Sequence, residues 1–129
     1  MTASFGIDHP LLATHDIQGL RANLMSLGFN MTPIGKHPWG TSTSLAMFNG
    51  CLIEIVGIYD ETLLDDVPAG TFRFGRHIYE HLQVREGVAL SALHSTDSIS
   101  DAHLAKLAGF TVAGHLEFGR DVTLPDGTG

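Results

Sequence analysis

Apolar positions along the chain switch from a period of two to a period of about 3.6, and the sequence runs through that switch twice. Residues 7–29 (IDHPLLATHDIQGLRANLMSLGF) align without a gap on residues 88–110 (VALSALHSTDSISDAHLAKLAGF). Leu12 falls on Leu93, Asp16 on Asp97, Gly28 on Gly109 and Phe29 on Phe110. Each copy reads as an apolar strand, an Asp, a helix, and a Gly-Phe that opens another strand. Asp16 and Asp97 suit the helix N-cap, where a carboxylate accepts hydrogen bonds from free backbone N–H groups. Leu20, Leu24 and Leu27 share one helical face in the first copy, and Leu104 and Leu107 do so in the second. Gly28 and Gly109 fit the C′ position, where the backbone turns left-handed and a Cβ would clash.

Three further strands follow the first copy: residues 30–36, Thr41–Phe48 (TSTSLAMF) and Cys51–Ile58 (CLIEIVGI). Asn49-Gly50 between the last two is a strong hairpin signal. The β-branched, apolar run after it predicts a central strand. Residues 1–60 therefore form a β-α-β-β-β module. Residues 61–87 form a connection. Its acidic part runs over residues 60–75 with Pro68 and Gly70, and a short helix over residues 76–86 carries Ile78, Tyr79 and Leu82 on its buried side. Residues 88–129 read as a second, truncated βαβ module, with a strand over residues 116–124 and a turn at Pro125-Asp126-Gly127. The fold class is α+β, one domain of paired modules with the second incomplete. A turn without a returning strand leaves a sheet edge unpaired. Either a second copy supplies the pairing, giving a homodimer, or the sequence is a piece of a longer chain.

Charge narrows the partners. With 14 acidic against 7 scattered basic residues, the net charge of −7 disfavours nucleic acid and anionic membranes alike. Cys51 is the single cysteine, so no internal disulfide forms. No apolar run reaches the ~20 residues of a membrane helix. A cytoplasmic protein with a small-molecule ligand is the expectation.

Ile7-Asp8-His9-Pro10, Leu27-Gly28-Phe29, Lys36-His37-Pro38-Trp39-Gly40-Thr41 and Leu52-Ile53-Glu54-Ile55-Val56 together resemble the glyoxalase-like branch of the vicinal-oxygen-chelate superfamily. The resemblance covers residues 5–60 well and 70–127 more loosely. It implies two βαβββ modules whose mixed sheet curls around a shared cavity. In metal-dependent members the first and last strands of each module hold one divalent cation (Zn, Ni, Mn or Fe). Carried over by position, His9 and Glu54 are the two ligands of the first module. Leu90 stands where the second module's first-strand ligand is expected, and the final strand lies beyond Gly129. The resemblance thus implies either a metal-dependent lyase, isomerase or dioxygenase-type enzyme, or a metal-free module that sequesters a small molecule.

The residues themselves support part of this. Glu54 interrupts a strand that otherwise reads as core, and burying a carboxylate costs several kcal/mol unless a cation or donors compensate it. Leu52, Glu54 and Val56 share one strand face. The alternative is an edge-strand Glu facing water. His9 alternates with Ile7 and Leu11, and an imidazole with a carboxylate makes a reasonable mixed donor set. A lone His is more commonly a structural residue. His37 is the candidate catalytic acid/base, and Trp39 and Thr41 are the candidate substrate-binding residues. Equally, Pro38 and Gly40 fix a bend while Trp39 seals the core. His77-Ile78-Tyr79-Glu80-His81 spells H-x-x-E-H, a zinc-protease pattern. That motif needs a large helical scaffold and an acidic ligand well downstream, so a peptidase is set aside. Cys51 reads as packing.

Overall fold

A computed structural model describes residues 6–117. The elements are β1 (Gly6–Ala13), α1 (Ile17–Ser26), β2 (Gly35–Lys36), β3 (Thr41–Phe48), β4 (Cys51–Ile58), a 3-10 turn (Glu61–Leu63), α2 (Phe74–Leu82), β5 (Gly87–His94) and α3 (Ser98–Leu107). The strands make one mixed sheet in the order β2-β3-β4-β1-β5, which does not close into a barrel. β1 runs parallel to β4 and antiparallel to β5. The fold is α+β, as the sequence predicts.

Local signals act where expected. The Asp16 carboxylate accepts from the Gly19 N–H at 2.9 Å, and the Asp97 carboxylate from the Ser100 N–H at 3.1 Å. Gly28 and Gly109 adopt φ of 101° and 94° after their helices, a conformation that any Cβ would strain. The β3–β4 hairpin turns at Asn49-Gly50 and pairs Phe48 with Cys51, which sets Leu45 opposite Glu54.

One face of the sheet holds the core. Leu11 and Ala13 of β1, Val56 of β4, and Ile78 and Leu82 of α2 pack into one buried cluster. Trp39 and Gly75 explain how α2 comes so close: a Cβ at Gly75 would lie 2.2 Å from the Trp39 carbonyl oxygen. Arg76 also ties α2 to the preceding segment, donating to Asp65 through Nε at 3.1 Å and Nη2 at 2.9 Å. That guanidinium holds the Asp65 carboxyl below its ordinary range. The opposite face carries α1 against β3 and β4. Glu86 ties the end of β1 to the turn before β5, its carboxylate accepting from the His15 N–H at 2.7 Å and the Thr14 hydroxyl at 3.1 Å.

Several expectations need correction. The strand over residues 30–36 is reduced to Gly35–Lys36 plus a single bridge from Met31 to Ala46. The helix expected over residues 76–86 begins at Phe74 and ends at Leu82, with Tyr79 only half-buried. Leu27 caps α1 and is 75% exposed, so it does not share a buried face with Leu20 and Leu24. Leu104 and Leu107 are exposed too. Cys51, expected to pack, is exposed at the hairpin end of β4. Ile7 does not alternate with His9, because a register shift between Ile7 and His9 inserts Asp8 as an extra residue. Leu116 and Glu117 lie outside any strand, and the rest of the expected strand and turn lies outside the described residues. Among the described residues, no helix is long and apolar enough to cross a membrane.

Candidate functional site

The core face of the sheet is only partly covered. α2 packs over the end of it marked by Ala13 and Val56, and leaves the end carrying His9 and Glu54 facing a hollow of about 310 Å³. The register explains why these two meet. β1 and β4 are adjacent and parallel, Leu11 pairs with Glu54, and His9 stands two residues before Leu11 on the same face. His9 Nε2 lies 3.2 Å from Glu54 Oε2. Leu90 and Ala92 of β5 complete the floor, and His37, Trp39, Phe72 and Phe74 form the wall.

The polar groups make a chain. Asp8 Oδ2 lies 2.5 Å from His9 Nδ1, and the Thr43 hydroxyl donates to Glu54 Oε1 at 2.6 Å. Glu54 is 9% exposed, so its charge is largely removed from water. A neutral imidazole has one N–H and serves one carboxylate, whereas His9 faces a carboxylate at each nitrogen. A proton shared between Nε2 and Oε2, or a cation held there, would complete that contact.

His37 and Trp39 stack with ring centroids 5.0 Å apart, and Phe74 meets Trp39 edge-on at 5.6 Å. The Tyr59 hydroxyl donates to the His37 carbonyl at 2.8 Å and fixes that bend. Thr41 does not line the hollow. It is fully buried behind His37, with its Oγ1 2.7 Å from His37 Nδ1. The structure thus brings His9, Glu54, His37 and Trp39 around one space and sets Thr41 outside it. Asp8, Thr43, Phe72 and Phe74 are the site residues that sequence reasoning missed. Thr43 had a readable signal: with Leu45 opposite Glu54, Thr43 is its diagonal neighbour on the same face.

The profile of the glyoxalase-like domain family matches residues 7–129. The chain belongs to the glyoxalase-like domain family. A crystal structure of a hypothetical protein from Bacillus halodurans C-125 has the same fold, with a TM-score of 0.62 at 20% identity over 82% of this chain and 70% of that one. No curated protein matches the sequence.

Some glyoxalase-like domains carry a divalent metal, and the donor set here fits one in part. Donors at about 2.0–2.2 Å from one ion, at tetrahedral or octahedral angles, stand roughly 3.0–3.5 Å apart, which the 3.2 Å between His9 and Glu54 matches. Leu90, at the place of a third ligand, is apolar, and among the described residues no group of three or more His, Cys, Asp or Glu is placed to hold an ion. The H-x-x-E-H run forms no such group either. His77 Nε2 instead lies 3.2 Å from the Ala89 carbonyl oxygen, where it joins α2 to β5.

Proposed function

We propose that this glyoxalase-like domain binds a small molecule in the hollow, anchoring an oxygen-bearing head group on His9 and Glu54 and packing the remainder against Trp39, Phe72 and Phe74. The observation that carries this reading is a nearly buried carboxylate in an otherwise largely apolar recess of ligand size. Glu54 and His9 supply acceptor and donor capacity, and the aromatic wall supplies area. Phenol is the simplest probe with both properties. In two-dimensional NMR it is expected to shift the amides of His9, Glu54 and Leu90, and Glu54→Gln is expected to weaken that response at least tenfold. Shifts confined to other parts of the sheet would sink the reading.

The spacing of His9 and Glu54 favours a second reading, in which the pair contributes two ligands to a divalent metal. That metal would polarise a substrate oxygen and stabilise developing negative charge. His37, on the wall of the same hollow, would move the proton. This is the lyase, isomerase or dioxygenase-type chemistry of metal-dependent relatives. Elemental analysis after dialysis against Zn²⁺, Mn²⁺, Ni²⁺ or Fe²⁺ separates the two. Near-stoichiometric metal that is lost in Glu54→Gln supports the metal reading. A protein that retains no metal, keeps its thermal stability in chelator and still binds phenol supports the first.

A further inference from the structure

Behind the aromatic wall lies a second hollow of about 190 Å³, lined by Trp39, Val67, Ala69, Phe72, Phe74 and Leu116. Trp39, Phe72 and Phe74 line both spaces, so the two are neighbours with those three rings as a common wall. The two differ in chemistry: the first has the His9–Glu54 pair on its floor, whereas all six residues around the second are apolar.

The annex is held open by backbone and not by soft side-chain packing. The Ala69 N–H donates to the Phe72 carbonyl at 2.9 Å, and the Phe72 N–H returns the bond at 3.0 Å. The Thr71 N–H donates to the Ala113 carbonyl at 3.1 Å, which pins the 113–116 stretch beside this turn. Contact there is backbone on backbone: a Cβ at Gly114 would lie 2.5 Å from the Ala69 carbonyl carbon. Val67 takes φ of 52°, a left-handed conformation that a β-branched residue adopts only where its surroundings impose it. An apolar recess framed by backbone contacts next to a polar anchor is a shaped space, not a packing fault.

We propose that the two hollows form one bipartite site for a neutral amphiphile: a hydroxyl-bearing aromatic head on His9 and Glu54, and an alkyl tail of a few carbons that passes the three rings into the annex. The proposal rests on the head-group reading above and extends it to a substrate class. Charge argues against an anionic head. The head must approach Glu54 in a chain of net charge −7, where an anion would be repelled and a hydroxyl can donate. The tail follows from the annex, whose six lining residues are all apolar.

The test is a series of phenols with 4-ethyl, 4-butyl and 4-hexyl tails, titrated into the full chain by NMR and calorimetry. Affinity is expected to rise about fourfold per methylene, the gain from burying one CH₂, until the annex is full. Shifts are expected to spread to the amides of Val67, Ala69 and Leu116. Ala69→Leu and Leu116→Trp each fill the annex from a different wall, and either should flatten the chain-length dependence while leaving phenol binding unchanged. A flat series in the wild type, or a series that climbs equally in both variants, overturns the annex but leaves the head-group reading standing. Failure of the head-group reading looks different: phenol itself would leave His9, Glu54 and Leu90 unshifted. If no member of the series binds, both fall.

Discussion

The two copies of the strand–helix repeat share their local chemistry and differ in their surroundings. Both helices are capped by an Asp carboxylate, and both end at a glycine with φ near 100°. Yet Leu11 and Ala13 of β1 are buried, while β5 has no buried residue and both Val88 and Leu93 are exposed. β1 lies between β4 and β5, whereas β5 is at the sheet edge, with β1 its one partner among the described residues. α1 lies against β3 and β4, but α3 leaves Leu104 and Leu107 at 56% and 71% exposure. A cap or a helix stop is settled by a handful of neighbours in sequence. Burial is settled by what the rest of the chain places on either side.

That contrast can be broken most directly in the core. Ile78→Ala removes a fully buried side chain from the cluster around β1 and is expected to cost about 2–5 kcal/mol in urea denaturation. Leu107→Ala on α3 is expected to stay within about 0.5 kcal/mol. An equal loss in both would mean that α3 is packed in solution and that the two copies are not so different. Next in size are the caps. Asp16→Ala and Asp97→Ala should each weaken their helix by about 1 kcal/mol, read as faster amide exchange in the first turn. Since the caps are local, similar effects in both copies would sharpen the comparison, and an effect in one alone would refute it.

The smallest effect concerns Glu86, which bridges the copies. The backbone N–H of His15, followed by the Thr14 hydroxyl, holds its carboxyl below the ordinary value of 4.5. A lowered carboxyl stabilises the fold above that ordinary value, and the contribution is lost as pH falls through the lowered one. Glu86→Gln should therefore be slightly less stable than the wild type at pH 7, and the two should converge in acid. A gap that stays constant from neutral pH to about pH 3 would exclude the linkage.

Much of the fold was legible because its determinants are close together in sequence. Asn49-Gly50 fixed the β3–β4 hairpin and its register, and Asp16 with Gly28 bracketed α1. The carboxylate inside β4 pointed to His9, and the two do meet. What was not legible depends on distant contacts. At Gly75, α2 abuts the Trp39 backbone, a contact between residues distant in sequence that no local pattern announces. Phe72 and Phe74 reach the hollow through that same contact. The extra residue in β1 displaced Ile7 from the face it was expected to share with His9, since period-two reasoning has no signal for a bulge. Thr41 was expected at the ligand as part of the Trp39-Gly40-Thr41 run, but its side chain is buried behind His37, with Oγ1 2.7 Å from His37 Nδ1.

Asp8 owes its position to that irregularity. In a regular strand, consecutive residues part company across the sheet, so a histidine and the acid before it cannot touch. Here the interruption lets one stretch of backbone present an imidazole together with its own counter-ion. Lengthening or trimming the chain at this point would add or withdraw an anion beside His9 without disturbing the ladder from Leu11 onward. Removing Asp8 would therefore withdraw the anion at His9 Nδ1 and leave Nε2 with its own partner, Glu54.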